Sequence, residues 1–255
     1  MTKYVRFTQG TCPVWGQLEG DEIHALSQAP WLGIEESGSA VKVADVELLA
    51  PCELGKILCV GKNYYDHVQE MGGERPANPI LFIKPATCVN DPEATITRPR
   101  SSQQLDYEGE LAFVVGKTAY RVPAAEASDY IFGYTILNDV TARDLQAADG
   151  QWTRAKSFDG FAPIGPYLVT DLDPGDLALE TRLNGVVKQR SRTSLMMWGV
   201  GELFEFITEG ITLLAGDVVT TGTPAGIGHM ADGDVVEVEI EGLGVLRNFI
   251  RWEAD

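Results

Sequence analysis

Two glutamates separated by one glycine, Glu108 and Glu110, form the pattern in this chain that most directly suggests chemistry. The apolar residues on both sides predict a buried strand, and side chains two positions apart on a strand point to the same face. Two carboxylates on one buried face repel each other and lose hydration unless a positive charge lies between them. The pair therefore predicts a bound divalent cation. From the pair alone, an exposed strand with alternating acids and the carboxylate pair of a glycosidase stay open as alternatives.

A third carboxylate, Asp139, follows the apolar run at residues 131–137. At the end of a buried strand it would lie at the rim of a core, within reach of a substrate. Three carboxylates on two strands suit a hard cation with octahedral oxygen coordination. We expect Mg²⁺ or Mn²⁺ as the cofactor rather than Ca²⁺, because the chain has no run like an EF-hand loop.

Three other segments carry residues suited to binding anions or moving protons. His67 and Glu70 lie three apart in a predicted short helix at residues 64–71, so the carboxylate would raise the basicity of the imidazole. Lys156 precedes a segment rich in glycine and proline, where its charge could hold a substrate carboxylate or polarise an oxygen. The loop at residues 220–229 offers hydroxyls and backbone N–H groups to a carboxylate. A solvated polar pair, a surface lysine and a tight turn are the respective structural alternatives.

The composition limits the class of protein. The chain has 255 residues, 44% of them hydrophobic, which is enough for a substantial core, and its net charge is −17. This acidity argues against a nucleic-acid partner or an anionic membrane, because both reward clustered lysine and arginine. The four cysteines form no CxxC pair, and residues 1–7 lack the apolar stretch of a secretory signal. We therefore expect a cytoplasmic protein with reduced cysteines and a small-molecule substrate.

Short strands and turns must position these side chains. The predicted elements are strands at residues 56–61, 80–84, 131–137, 167–169, 178–185 and 234–240, a hairpin turn at Asn184-Gly185, and helices at residues 124–130 and 198–208. The strands outnumber the helices and do not alternate with them, which favours an α+β fold with a mixed or antiparallel β core. Pro51 marks a boundary between a small β-rich N-terminal module at residues 1–50 and a catalytic domain at residues 51–255.

Six segments taken together resemble the fumarylacetoacetate hydrolase family. In chain order they are VGKNYYDHVQE from Val60, FIKP from Phe82, DYEGEL from Asp106, NDVTARDLQ from Asn138, KSFD from Lys156 and TGTPAG from Thr221. The resemblance runs from about residue 56 to residue 248. It implies a mixed β-roll or β-sandwich-like catalytic core with a metal at its mouth, in a homodimer.

The resemblance also implies roles for individual residues. The implied metal ligands are Glu108, Glu110 and Asp139; the implied catalytic residues are His67 and Glu70, on a mobile lid helix, and Lys156; the implied substrate-binding residues are Gln146, Thr223, Gly222, Lys84 and Arg143. Lys84 and Arg143 are counted among the substrate-binding residues by their motif positions alone.

The expected substrate is a 2-oxo acid that chelates the metal, which then stabilises a pyruvate-type enolate. The first hypothesis is a metal-dependent hydrolase that cleaves a C–C bond in acylpyruvate- or fumarylpyruvate-like 1,3-diketo acids, favoured by the water-activating pair His67 and Glu70. The alternative is an isomerase or decarboxylase of 2-hydroxyhepta-2,4-diene-1,7-dioate-like or oxaloacetate-like diacids in aromatic catabolism. A non-catalytic binding protein is a third hypothesis, and the carboxylate triad with Lys156 weighs against it.

Overall fold

The structure is a computed structural model that describes residues 1–10, 12–52 and 55–253. Within these residues the strands are β1 (Lys3–Gln9), β2 (Cys12–Glu19), β3 (Glu22–Leu26), β4 (Glu36–Lys42), β5 (Leu48–Leu49), β6 (Ile57–Gly61), β7 (Ile80–Lys84), β8 (Val89–Asn90), β9 (Thr95–Arg98), β10 (Leu105–Tyr107), β11 (Gly109–Val115), β12 (Ile131–Asn138), β13 (Thr141–Ala142), β14 (Ala162–Val169), β15 (Ala178–Leu183), β16 (Val186–Arg192), β17 (Val218–Thr220), β18 (Gly228–His229), β19 (Val235–Ile240) and β20 (Gly244–Trp252). The α-helices are α1 (Tyr65–Glu70), α2 (Arg143–Asp149), α3 (Thr153–Lys156) and α4 (Val200–Thr208). Strands dominate and helices are few, which confirms the predicted α+β class.

The largest sheet carries the candidate site at the ends of two of its inner strands. Its order is β4-β3-β2-β1-β14-β12-β11-β17-β6-β7, with β5 beside β1 and β8 beside β14. β11 is buried along its whole length, because its apolar side chains pack on both faces of the sheet. β12 runs antiparallel to β11 and ends at Asn138, opposite Gly109. This pairing brings Asp139 close to the two glutamates.

A second sheet packs against the first through a shared apolar core. Its order is β16-β15-β19-β20-β9. Phe113 of β11 belongs to the same buried cluster as Leu179 of β15 and Val238 of β19. The hairpin between β15 and β16 turns at Asn184 and Gly185, whose φ angles of 52° and 75° are those that an Asn-Gly pair adopts readily. The predicted sandwich-like core is therefore present.

The N-terminal strands extend the largest sheet. Lys3 and Tyr4 of β1 pair antiparallel with Val169 and Leu168 of β14, and β1 also pairs with β2 and β5. The N-terminal segment is β-rich, as predicted. The division of the chain at residue 50 stays a prediction, because the strands on both sides of it share one sheet.

Glu108 lies between two strands, whereas the sequence predicts one continuous strand here. β10 ends at Tyr107 and pairs with β13 and β18 in a separate sheet, and β11 begins at Gly109. The backbone N–H of Glu108 donates to the side chain of Asn138 (2.9 Å), and the backbone N–H of Asp139 donates to the Glu108 carbonyl (2.8 Å). Because these bonds replace strand pairing, the chain passes from one sheet to the next at Glu108, and the site lies at that junction.

Two of the three predicted helices are α-helices near their predicted positions, and the described residues contain two further α-helices. α1 corresponds to the helix predicted at residues 64–71 and α4 to the one at residues 198–208, whereas the helix predicted at residues 124–130 is a 3₁₀ helix, Ala124–Asp129. α2 and α3 have no counterpart among the predictions; α2 ends at Asp149, and Gly150 after it has a φ of 70°, which suits a helix terminus. Among the described residues, no helix combines the length and the apolar character that a bilayer crossing requires.

Candidate active site

Three carboxylates converge where the sheets meet. Glu110 lies on β11, Asp139 follows β12, and Glu108 connects β10 with β11. One oxygen from each residue lies within 4.8 Å of the others, and all three residues are buried. The interrupted strand thus still puts both glutamates on the side of Asp139.

Three cationic side chains hold two of these carboxylates. Nζ of Lys156 donates to Glu108 (2.7 Å) and to Asp139 (2.6 Å). Arg143 donates to the second oxygen of Glu108, and Lys84 donates to the second oxygen of Asp139. Each oxygen of these two carboxylates therefore has a cationic donor, which offsets the cost of burying them.

Glu110 lies in the opposite electrostatic environment. Its carboxylate accepts from the backbone N–H of Gly222 (2.9 Å) and forms no ion pair with a lysine or arginine of the described residues. Burial and the charges of Asp139 and Glu108 raise the pKa of Glu110 well above its usual range. Burial also acts to raise the pKa of Glu108. The charges of Lys156 and Arg143 outweigh burial and hold the pKa of Glu108 far below its usual range. Of the three carboxylates, Glu110 is therefore the one whose ionised form an added positive charge would stabilise most.

The donor set fits a hard divalent cation. The three side chains offer only carboxylate oxygens, the ligands that Mg²⁺ and Mn²⁺ prefer. They come from two backbone segments, residues 108–110 and the end of β12, each fixed by hydrogen bonds, so their arrangement does not depend on one flexible loop. Glu108, Glu110 and Asp139 are the residues that would hold such a cation.

His67 of α1 is oriented by Glu70. Nδ1 of His67 is 3.0 Å from one carboxylate oxygen of Glu70, and the other oxygen accepts from the backbone N–H of Gly226 (3.0 Å). We assign the proton to Nδ1, which faces the carboxylate, so that Nε2 is the acceptor. Nε2 has no hydrogen-bond partner in the described part of the chain. His67 lines the cavity and Glu70 does not, so an effect of Glu70 on a ligand would pass through the imidazole.

α2 brings two polar side chains to the cavity. Arg143 and Gln146 are three residues apart and share a face of the helix, and Nη1 of Arg143 donates to Oε1 of Gln146 (2.6 Å). Nε of Arg143 donates to Asp106 on β10 (2.9 Å). Burial would lower the pKa of Arg143, but Glu108 and Asp106 raise it above its ordinary value, so the guanidinium keeps its charge. The Nε2 group of Gln146 donates to no described residue and is left for a ligand.

Gln189, a residue without a sequence signal, ties the glutamates to the loop that follows β17. Its Nε2 donates to Thr223 Oγ1 (2.7 Å) and to the carbonyl of Pro224 (2.8 Å), and its Oε1 accepts from the backbone N–H of Gly109 (3.0 Å). Thr223 in turn donates to the Gly109 carbonyl (3.0 Å). A Cβ at Gly109 would lie 2.4 Å from Thr181 Oγ1, so this close approach requires glycine. The predicted residue Thr223 is thereby held at the cavity wall.

Two predicted substrate-binding residues lie behind the cavity wall. Lys84 is fully buried and donates to Asp139 and to the carbonyl of Val140 (3.2 Å). Gly222, with a φ of 90°, uses its N–H to hold Glu110. Neither lines the cavity. We revise both to supports of the carboxylates, because a buried carboxylate needs a counter-charge or an N–H donor and these residues supply them.

One cavity of about 210 Å³ is lined by the remaining predicted residues other than Glu70. Its lining includes the triad, His67, Lys156, Thr223 and the two side chains of α2. This volume is below the roughly 300–1,000 Å³ of sites for drug-sized ligands, so the cavity suits a small acid. Lys62, Met71 and Trp152 also line it and were outside the predicted set. Lys62 lies within the first motif of the resemblance, which is the one signal that could have indicated it.

Two family models match this chain. The model described as fumarylacetoacetate (FAA) hydrolase C-terminal matches residues 56–251, and the model described as Rv2993c-like, N-terminal matches residues 2–51. Members of the first family generally bind a divalent metal, as the acidic triad here would suit.

Similar proteins cover most or all of the chain. Protein Rv2993c of Mycobacterium tuberculosis is 53% identical over 215 residues, which cover 83% of this chain and 81% of that protein. Oxaloacetate tautomerase YisK of Bacillus subtilis is 40% identical over 252 residues, which cover 91% of this chain and 84% of that protein. The crystal structure of 2-hydroxyhepta-2,4-diene-1,7-dioate isomerase from Mycobacterium marinum covers 100% of both chains, with a TM-score of 0.93 and 42% identity. The chain therefore belongs to the fumarylacetoacetate hydrolase family.

Proposed function

We propose that this protein is a divalent-metal-dependent isomerase that interconverts the keto and enol forms of a 2-oxo diacid, of the oxaloacetate or 2-hydroxyhepta-2,4-diene-1,7-dioate type. The observation that carries the proposal is one cavity that joins a proton acceptor, His67, and a cation, Lys156, to three carboxylates. Relatives named as a tautomerase and an isomerase support this reaction over C–C hydrolysis.

The triad and its partners would prepare the substrate. Glu108, Glu110 and Asp139 would hold Mg²⁺ or Mn²⁺, which when bound draws electron density from the 2-oxo group. Lys156 keeps Glu108 ionised, and its ammonium lies beside the triad to stabilise negative charge on a substrate oxygen. Gln146, together with Arg143 and Thr223, is the proposed contact for the other substrate oxygens.

His67 is the proposed base. Its Nε2 takes a proton from the carbon next to the 2-oxo group; the C–H electron pair forms the C=C bond of the enol, and the carbonyl π pair moves to the oxygen. The imidazolium then delivers the proton to that oxygen. One proton leaves carbon and one reaches oxygen, so the reaction consumes neither water nor an oxidant. Glu70 stabilises the imidazolium through the 3.0 Å contact with Nδ1.

Hydrolysis of an acylpyruvate- or fumarylpyruvate-like diketo acid is the second candidate function. The pair of His67 and Glu70 favours it, because the same free Nε2 can take a proton from water. Decarboxylation would start from the keto form of oxaloacetate: the C3–C4 bond would break to release CO₂, its electron pair would form the enolate of pyruvate, and that enolate would then take a proton at carbon. These reactions differ in their products rather than in the residues that they use.

We also propose that the protein is a cytoplasmic homodimer. β7 forms the edge of the largest sheet in the described residues, and Ile83 on it is 49% exposed. An edge strand with an exposed apolar side chain is a template for pairing with a second chain. Light scattering should give twice the chain mass of 27.7 kDa; the mass of one chain would contradict the dimer.

The reaction is tested by incubating the Mg²⁺-loaded protein with oxaloacetate and, separately, with acetylpyruvate. The enol is followed by its ultraviolet absorbance, and the products are identified by NMR. We expect faster keto–enol interconversion of oxaloacetate without release of pyruvate. Cleavage of acetylpyruvate to acetate and pyruvate, with no effect on tautomerisation, would overturn the isomerase and favour the hydrolase. Release of pyruvate and CO₂ from oxaloacetate would favour the decarboxylase.

A further inference from the structure

Lys62 differs from the other cations of the cavity because it has no partner among the described residues. It lies between the end of β6 and the start of α1, and it lines the cavity. Arg143 and Lys156 both donate to carboxylates of the triad, whereas Lys62 makes no hydrogen bond or ion pair with any described residue. The ammonium of a cavity-lining residue that has no acceptor among the described residues is suited to an anionic group on a ligand.

We propose that Lys62 binds the distal carboxylate of the substrate and so selects 2-oxo diacids over 2-oxo monoacids. The inference rests on the proposed function, because it names the residue that defines the substrate class of that same site. The proximal end of the ligand would lie at the triad, and the distal carboxylate would accept from Nζ of Lys62.

The charge of the cavity wall supports a ligand with two negative charges. Among the described residues that line it are three carboxylates and three cations, Lys62, Arg143 and Lys156, so their formal charges cancel. A divalent cation would add two positive charges, which match the two carboxylates of a diacid. Without Lys62 the surplus would be one charge, which matches a monoacid. In a chain with a net charge of −17, this local surplus opposes the repulsion of a dianion.

The ammonium of Lys62 lies near the C-terminal end of α1. A Cβ built at Gly73, just beyond α1, would lie 3.4 Å from Nζ of Lys62, so the amine reaches the far end of that helix. Met71, at the same end of α1, also lines the cavity. The triad belongs instead to the segments around β10, β11 and β12. A ligand that contacts both places needs a charged group at each end.

The backbone at Lys62 is strained for a lysine. Its φ is 57°, in the left-handed region that glycine adopts at little cost and other residues adopt rarely. A glycine would therefore satisfy this turn and remove only the side chain. This gives a variant, Lys62→Gly, that tests the ammonium without disturbing the backbone.

The test compares 2-oxoglutarate with 2-oxovalerate, two five-carbon acids that differ by the distal carboxylate. Their affinities for the Mg²⁺-loaded protein are measured by calorimetry in the wild type, Lys62→Met and Lys62→Gly, with the exposed Lys42→Met as the matched control. Both Lys62 variants should bind 2-oxoglutarate about tenfold or more weakly and 2-oxovalerate within about twofold of the wild type, since a charge-assisted bond to only one ligand is lost. The control should bind both ligands like the wild type.

Several results would overturn the inference. They are equal losses for both ligands, no loss for either, retained discrimination in Lys62→Gly, and no binding of 2-oxoglutarate by the wild type. Failure of the proposed function is a separate result. If the wild type does not interconvert the keto and enol forms of oxaloacetate but Lys62 still discriminates the two ligands, the proposed reaction is wrong and the proposed subsite stands. If oxaloacetate is interconverted and both ligands bind alike, the subsite alone is wrong.

Discussion

The cavity has two walls that are built differently, which we call the floor and the lid. The floor consists of Glu108, Glu110 and Asp139, which are buried and held by cations from α2, α3 and β7 and by a backbone N–H of the loop after β17. The lid consists of α1 and Met71; Tyr65 and Met71 on it are 54% and 39% exposed. A helix of this length is not stable alone, so the lid depends on its contacts with the rest of the chain.

This difference separates two tasks. The floor is preorganised, because its charges are already placed before a ligand arrives. The lid supplies His67, whose orientation depends on Glu70 and, through it, on one backbone N–H of the loop at Gly226. Changes in the floor should therefore affect metal binding and every reaction, whereas changes in the lid should affect proton transfer and leave the metal in place.

The largest effect is expected for Glu110→Gln. The change removes the carboxylate that has no cationic partner in the described part of the chain, so the protein should lose its divalent cation and its activity should fall by more than about 10³-fold. The metal content by mass spectrometry and the tautomerisation rate check this, with the exposed Glu126→Gln as control. Full metal content in Glu110→Gln would show that Glu110 is not needed to hold the cation.

The second-largest effect is expected for Lys156→Met. Because the ammonium is lost beside Glu108 and Asp139, kcat should fall by roughly 10²–10³-fold while the metal is retained. The metal-free variant should also lose about 3 kcal/mol of unfolding free energy, since two buried carboxylates lose a counter-charge. Thermal unfolding with and without Mg²⁺ measures this. Equal stability of the two metal-free proteins would contradict the account.

His67→Ala tests the lid. The base is lost, so kcat should fall by about 10²-fold, while metal content and unfolding temperature should stay close to the wild type. The matched control is His24→Ala on β3, which does not line the cavity. Loss of the metal in His67→Ala would mean that floor and lid are not separate.

The smallest effect is expected for Glu70→Gln. The amide keeps a hydrogen bond to the imidazole but loses the charge that stabilises the imidazolium, so kcat should fall by about tenfold with KM little changed. Steady-state kinetics at saturating Mg²⁺ measure both parameters. A loss as large as that of His67→Ala would assign Glu70 a direct role in proton transfer.

The lid and the carboxylates could be predicted because their patterns are local or belong to recognisable motifs. Glu108 and Glu110 are two residues apart, His67 and Glu70 are three apart, and Asp139 ends an apolar run. Each of these spacings has a direct meaning on a strand or a helix.

The support of the floor could not be predicted in the same way. Gln189 lies 80 residues from Gly109 in the sequence, and its hydrogen bond depends on the packing of β16 against the junction. Lys84 is 55 residues from Asp139, so a motif position did not reveal that it neutralises a carboxylate rather than binding substrate. The break of the strand at Glu108 likewise follows from a side-chain bond to Asn138 that no local pattern indicates.

The most direct test of the proposed reaction is the exchange of the C3 hydrogens of oxaloacetate for deuterium, followed by NMR in D₂O at a fixed Mg²⁺ concentration. We predict that the wild type accelerates the exchange, that chelation of the metal abolishes the acceleration and that added Mg²⁺ restores it. Glu110→Gln at the same Mg²⁺ concentration should match the protein-free rate. Equal exchange by the wild type and Glu110→Gln would contradict the account.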